Sequence, residues 1–129
     1  MFETAALTQS YDVLAPDGSE IRLLSTLTGG SMVHCRLPAG ATSLAVTHRT
    51  VEELWYCLAG EGQVWRSLDG HEAVVDVAPG CALTIPLGAH FQFRNTGSDP
   101  FDLVIVTMPP WPGDDEAVRV ADHWPVDPP

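Results

Sequence analysis

Short runs of apolar residues alternate with polar residues through most of the chain, and turn sequences such as Asp69-Gly70 separate them. Alternation with a period of two is typical of half-buried β-strands, because successive side chains point to opposite faces of a sheet. The pattern predicts nine strands, at residues 20–27, 31–37, 43–48, 53–58, 63–67, 72–77, 82–85, 91–94 and 101–107. Short strands at these intervals favour an all-β antiparallel sandwich or barrel.

The two ends of the chain differ from this strand-rich part. We predict an N-terminal arm at residues 1–19, a barrel at 20–108 and a proline-rich, acidic tail at 109–129. Acidic residues at the start of 114–122 favour a short helix there. Trp111 and Trp124 indicate that the tail packs either on its own barrel or on a second subunit, because an indole gains little from full exposure to water.

The length and the cysteine content limit the class of protein. A chain of 129 residues is one domain's worth, and its 45% hydrophobic content is enough for a buried core. The sequence has no apolar run long enough to span a membrane and no N-terminal leader pattern. We therefore expect a cytoplasmic protein with no membrane partner, in which Cys35, Cys57 and Cys81 stay reduced.

The charge narrows the function further. The net charge is −11, all six basic residues are arginines, and lysine is absent. Without lysine there is no side-chain amine for Schiff-base chemistry. Strong acidity also disfavours nucleic-acid binding, because the phosphate backbone is repelled. A small-molecule protein and a protein-interaction module remain.

Two glycine-bounded stretches carry the most specific signal. In the first, five residues separate Gly40 from Val46, and then His48, Glu53 and Gly60 follow at fixed intervals. In the second, five residues separate Gly80 from Pro86, and then Gly88, Phe91 and Asn95 follow. These spacings resemble the two sequence motifs of the cupin superfamily.

The resemblance implies a small antiparallel jelly-roll barrel, often dimeric, with a pocket between the motifs. In many relatives three histidines and a glutamate from these motifs hold a divalent metal. Here Val46 and Phe91 stand at two of the four ligand positions, so only His48 and Glu53 remain. Because a metal site usually needs at least three protein ligands, we expect no metal cofactor. If a divalent metal is bound, its ligands would be His48 and Glu53, with His34 or His90 as a further donor.

Strand alternation argues against those further donors. A shift of one residue from Phe91 to His90 turns the side chain to the outer face. The apolar positions Val33, Cys35 and Leu37 indicate that the inner face of their strand excludes His34.

The remaining pair has chemistry of its own. A carboxyl group at Glu53, facing an apolar interior, is desolvated, and this raises its pKa towards the range useful for general acid or base catalysis. His48 is its expected partner, as an orienting group or a second proton carrier. We expect Val46, Trp55, Cys57, Phe91 and Phe93 to line a pocket for a small apolar or aromatic molecule.

Three functions follow from these residues. The first is a metal-independent acid/base enzyme (an isomerase, cyclase, dehydratase or related lyase). The second is a metal-dependent, oxygenase-like barrel with an irregular ligand set. The third is a non-catalytic barrel that binds or senses a small ligand. A homodimer is expected in each case.

Overall fold

The computed structural model describes residues 2–126 and contains eleven strands. They are β1 Val13–Leu14, β2 Glu20–Leu27, β3 Gly30–Leu37, β4 Val46–His48, β5 Glu52–Ala59, β6 Gly62–Leu68, β7 His71–Val77, β8 Ala82–Ile85, β9 His90–Asn95, β10 Phe101–Met108 and β11 Ala117–Arg119. Every paired strand is antiparallel, and each of the nine predicted strands overlaps one of β2 to β10. The all-β antiparallel prediction is confirmed. Among the described residues, no helix is long and apolar enough to cross a membrane.

Two sheets enclose the core. One has six strands in the order β1-β2-β3-β10-β5-β8, and the other has five in the order β11-β4-β9-β6-β7. Strand β5 shows how alternation directs side chains: Glu53, Trp55 and Cys57 are buried, whereas Leu54 and Tyr56 are exposed. Large apolar side chains from both sheets meet between them, and they include Leu37, Val64, Ile85, Phe91, Phe93, Phe101 and Leu103.

Close backbone packing explains the glycine that ends the first motif. Gly60 has a φ of 82°, which side-chain-bearing residues rarely adopt. A Cβ atom at this position would also overlap the backbone of Pro100. Glycine therefore lets the turn after β5 pass directly beside the start of β10.

The C-terminal segment, residues 109–126, lies against the barrel of its own chain. Strand β11 pairs with β4 at the edge of the five-stranded sheet, with Ala117 opposite His48. The helix predicted for 114–122 is wrong: only a three-residue 3-10 turn, Asp114–Glu116, precedes β11. The acidic first turn favoured a helix locally, but the free edge of β4 offers this segment backbone hydrogen bonds in extended form. Residues 127–129 of the predicted tail lie outside the described residues.

This segment also covers the outer face of the five-stranded sheet. The Gln92 side chain is fully buried there, and its amide donates to the carbonyl oxygens of Ser43 and Trp124 at 2.8 and 2.9 Å. Its oxygen accepts the backbone N–H groups of His123 and Trp124. The His123 ring stacks on Trp65 at 5.0 Å. Trp65 is therefore buried by the C-terminal segment and does not belong to the core between the sheets.

Candidate active site

The two surviving motif residues face each other across one end of the barrel. His48 ends β4, Glu53 is the second residue of β5, and both side chains are less than a tenth exposed. The Nδ1 atom of His48 lies 4.0 Å from the Oε1 atom of Glu53. This separation is too long for a hydrogen bond, so the two groups are neighbours without being bonded to each other.

Strand register places Glu53 in a row of polar side chains on the inner face of the six-stranded sheet. Thr107 of β10 pairs with Glu53 on one side and with Ser31 of β3 on the other. The next inward row is apolar and consists of Val33, Ile105 and Trp55. Along these three strands, one polar row of inward side chains is therefore followed by an apolar row.

A cavity of about 430 Å³ opens beside this row. Val46, Trp55 and Phe91 form part of its wall. Cys57 and Phe93 do not reach it, because each lies one inward step further along its strand and is fully buried in the closed core. These two residues of the predicted pocket therefore lie outside this cavity.

The wall of the cavity is completed by both ends of the chain. Asp17 and Ser19 contribute from the segment before β2, and Trp111 and Asp114 contribute from the C-terminal segment. Leu23 also lines the cavity and is 60% exposed, so the space reaches the protein surface. A small molecule can therefore enter from solvent.

Burial controls the protonation of Glu53. Removal from water raises the pKa of its carboxyl group from 4.5 to about 8. The indole Nε1–H of Trp55 donates to Oε1 at 3.0 Å and opposes the rise, whereas the charges of Asp17 and Glu116 add to it. At neutral pH this carboxyl group is therefore mostly protonated.

Burial acts on His48 in the opposite direction. Removal from water lowers its pKa from 6.5 to about 4, although the charge of Glu116 opposes the change. The ring lies edge-on to Phe91 at 5.1 Å and to Trp111 at 5.2 Å. Its Nδ1 atom is buried and has no hydrogen-bond partner among residues 2–126. His48 is therefore an uncharged imidazole at neutral pH, with one nitrogen not engaged by the described chain.

A buried carboxylate fixes the short loop between these two residues. Glu116 is 2% exposed, and its oxygens accept hydrogen bonds from the loop residues Thr50 and Val51. Burial alone would raise its pKa, but these hydrogen bonds outweigh burial, and the pKa falls below 4.5. Glu116 is therefore an ionised anchor that holds the C-terminal segment to the turn joining His48 to Glu53.

The donor set does not fit a divalent metal. Within residues 2–126 no three His, Cys, Asp or Glu side chains are grouped closely enough to hold one. His90 is exposed on the outer face of β9. His34 is buried on the outer face of its sheet, where its Nε2 atom lies 3.6 Å from Asp102. Neither side chain is part of the cavity wall, so one imidazole and one carboxyl remain where a metal needs at least three ligands.

Several residues of the site were not predicted from the sequence. Thr107 is the next inward-facing position after Phe101, Leu103 and Ile105 on the same strand. A polar residue at the end of this apolar series is the feature of the sequence that could have identified Thr107 as part of the site. Asp17 accepts hydrogen bonds from the Ser19 backbone and hydroxyl, and burial raises its pKa. No local sequence signal places Asp17, Ser31 or Trp111 at the cavity, because distant segments meet only in the folded barrel.

Comparison with known proteins agrees with the geometry. The sequence model of the Cupin domain matches residues 33–107. The chain is 29% identical to mannose-1-phosphate guanylyltransferase of Klebsiella pneumoniae over 87 residues, which cover 67% of this chain but only 17% of that enzyme. It is also 29% identical to the uncharacterized protein MJ1618 of Methanocaldococcus jannaschii over 117 residues, with coverage of 84% and 90%.

Solved structures show the same fold at lower identity. The oxalate decarboxylase of Lactobacillus farciminis, solved as a formate complex, superposes with a TM-score of 0.70 and 16% identity, over 79% of this chain and 31% of that one. At this identity the likeness concerns the fold alone. Because the family match covers more than half of the chain and coincides with the two-sheet barrel and its motif residues, this chain belongs to the cupin family.

Proposed function

We propose that this chain is a metal-independent enzyme that catalyses proton transfer within a small, largely apolar molecule. The observation that carries the proposal is Glu53, a buried carboxyl group with a pKa of about 8 on the wall of an open cavity. A general acid or base is most efficient when its pKa lies near the working pH. A strongly perturbed pKa in a cleft is also typical of functional groups.

Protonated Glu53 and neutral His48 act together in this proposal. Glu53 donates its proton to an oxygen of the substrate, while His48 accepts a proton from a neighbouring carbon. The enzyme then holds a carboxylate and an imidazolium, so the net charge of the pair does not change. The reverse transfers, made to different substrate atoms, complete an isomerisation. Cyclisation, dehydration and related lyase steps need the same two transfers.

Enolisation of simple ketones also occurs without an enzyme, and its acceleration by the protein offers a direct test. Three para-substituted acetophenones share one ring and differ in charge: 4-methylacetophenone, 4-acetylbenzoate and 4-(aminomethyl)acetophenone. Exchange of the acetyl methyl protons for deuterium is followed by proton NMR in D2O. We expect the wild-type protein to accelerate exchange of at least one ketone over buffer, and Glu53→Gln to remove about 100-fold or more of the rate, as is usual for loss of a general acid–base group.

The neighbouring residue Glu52 supplies a matched control. It is exposed on the opposite face of β5, so Glu52→Gln makes the same chemical change outside the cavity and should leave exchange unaltered. Exchange that is equal in wild type and Glu53→Gln would contradict the proposal. Binding of the ketones without accelerated exchange would also contradict it, and would favour a barrel that only binds or senses its ligand.

We also propose that two copies pair through the outer face of the six-stranded sheet. Leu54, Tyr56 and Leu58 of β5 are each almost half exposed there, and Leu54 and Met32 both pair with Val106 of the strand between them. Light scattering during gel filtration should give a dimer mass, and Leu54→Glu should give a monomer. Leu87→Glu, at an equally exposed apolar residue outside the strands, should remain dimeric. A monomeric wild type would refute the pairing.

For the location of the protein, we propose the cytoplasm, and this proposal is supported by the free state of Cys35, Cys57 and Cys81. Cell fractionation that recovered the protein outside the cytoplasm would contradict it.

A further inference from the structure

We infer that the cavity takes an uncharged molecule with a carbonyl or hydroxyl oxygen and rejects carboxylate and phosphate anions. This inference deepens the proposed function and rests on the cavity being the reaction site. Its basis is the set of charged and titratable side chains that line the cavity within residues 2–126.

No arginine lines the cavity within the described residues, and the chain has no lysine. The six arginine side chains contact groups elsewhere. Arg22 donates to the carbonyl oxygens of Thr8 and Gln9, Arg36 to Asp102, and Arg49 to the Asp115 carbonyl. Arg66 donates to the Thr84 carbonyl and Arg94 to Gln63, and the Arg94 guanidinium also lies over the Trp124 ring. Arg119 donates to the Ala45 carbonyl and to Asp122. His48 is uncharged at neutral pH. An anion in the cavity would therefore meet no cationic side chain.

The wall instead carries three carboxyl groups, those of Asp17, Glu53 and Asp114. A carboxylate or phosphate placed among them loses its hydration and gains only repulsion or neutral hydrogen bonds. The net charge of −11 adds a long-range field that lowers the local concentration of anions. Neither the cavity wall nor the net charge of the chain therefore supplies attraction for an anionic ligand.

A cationic ligand is disfavoured by the apolar part of the wall. Trp55, Phe91 and Ile105 line the same cavity as Glu53, and burying an ammonium group there requires a compensating carboxylate in the same apolar surroundings. The Oδ1 atom of Asp17 accepts two hydrogen bonds from Ser19, and burial of this carboxyl group disfavours the charged form that an ammonium group would need. Burial favours the neutral forms of both carboxyl groups, so an uncharged ligand fits with the least loss of hydration.

Two polar groups indicate where the ligand oxygen binds. The carboxyl group of Glu53 is protonated at neutral pH and can donate a hydrogen bond. The Nδ1 atom of His48, 4.0 Å from Oε1 of Glu53, lacks a partner within the described chain. A carbonyl or hydroxyl oxygen bound beside this pair would satisfy a donor that the apolar wall leaves unused. The cavity volume of about 430 Å³ lies within the usual range for small-molecule sites.

The acetophenone series tests this charge preference by binding, separately from turnover. The reporter is the Trp55 indole N–H, which donates to Glu53 at 3.0 Å, and its resonance is followed by two-dimensional NMR of 15N-labelled protein. At pH 6.5 we expect 4-methylacetophenone to shift this resonance with a Kd at least tenfold lower than those of 4-acetylbenzoate, 4-acetylphenyl phosphate and 4-(aminomethyl)acetophenone. In Glu52→Gln the same order of affinities is expected.

The outcomes separate this inference from the proposed function. Equal or tighter binding of either anion or of the amine overturns the charge preference, even if the exchange assay shows catalysis. Failure of the neutral ketone to bind overturns it as well. Selective binding of the ketone without proton exchange upholds the preference and refutes the enzyme.

Discussion

The carboxylate of Glu116 accepts hydrogen bonds from both the backbone N–H and the hydroxyl of Thr50, at 2.7 and 2.6 Å. A third bond comes from the Val51 N–H at 2.9 Å. These contacts join the C-terminal segment to the loop that connects His48 with Glu53. The relative position of the two proposed proton carriers thus depends on a residue more than sixty positions away in sequence.

Replacing this anchor tests that dependence. Glu116→Gln keeps the size of the side chain but removes the charge and one of the acceptor oxygens, so the charge-assisted hydrogen bonds to the loop are replaced by weaker neutral ones. We expect the free energy of unfolding to fall by about 1–3 kcal/mol, measured by urea denaturation. Asp115→Asn is the matched control, because that carboxylate is exposed, and its stability should equal that of wild type. An unchanged stability for Glu116→Gln would show that the anchor is dispensable.

The pH dependence of catalysis follows from the two shifted pKa values. The proposed mechanism needs Glu53 protonated and His48 uncharged, so kcat/KM should stay level between pH 4 and 8 and decline outside these limits. Deuterium exchange of the active ketone, measured across this range, gives the profile. A rate that instead rises through pH 8 would assign Glu53 as a base and contradict its role as the acid.

The pH dependence of protein stability should also reveal the raised pKa of the Glu53 carboxyl group. In the folded state Glu53 keeps its proton up to about pH 8, whereas in the unfolded chain it loses it near pH 4.5. Unfolding therefore releases a proton between these values, and stability due to this group is lost at up to about 1.4 kcal/mol per pH unit as the pH rises. Glu53→Gln should consequently gain stability relative to wild type from pH 4.5 to 8 and then hold a constant difference.

The C-terminal segment should control the hydration of His48. Trp111 covers one edge of the imidazole, so Trp111→Ala exposes the ring to water and raises its pKa from about 4 towards 6.5. NMR titration of the His48 Hε1 resonance in wild type and in the variant measures this change. Trp111→Phe retains a ring and should keep the pKa low. An unaltered His48 pKa in Trp111→Ala would contradict this role of the indole.

Removal of metal ions by a chelator tests whether the proposed reaction needs a metal. Since His48 and Glu53 fall short of a metal ligand set, EDTA should leave ketone exchange unchanged, and added Mn²⁺ or Zn²⁺ should not stimulate it. Loss of exchange after chelation, with recovery on addition of one metal, would establish the metal-dependent alternative.

The sequence predicted much of the barrel, because the alternation of residues in strands such as β5 and β10 is a local property. The two motifs also located His48, Glu53 and the apolar replacements at Val46 and Phe91. Prediction from the sequence failed where segments distant in the chain determine the surroundings of a residue. The edge of β4 imposes an extended form on residues 117–119, and the C-terminal segment buries Gln92 on a face where an exposed side chain is usual.

The cavity wall built from residues 13–19 and 110–117 has a consequence for protein synthesis. A nascent chain that has emerged only as far as β10 already contains both cupin motifs but still lacks Trp111, Glu116 and β11. Because the wall is complete only after residues 110–117 have been synthesised, a ligand cannot assist the early folding of the strands. It stabilises only a chain in which residues 110–117 have docked, and ligand protection therefore distinguishes such chains from chains truncated before this segment.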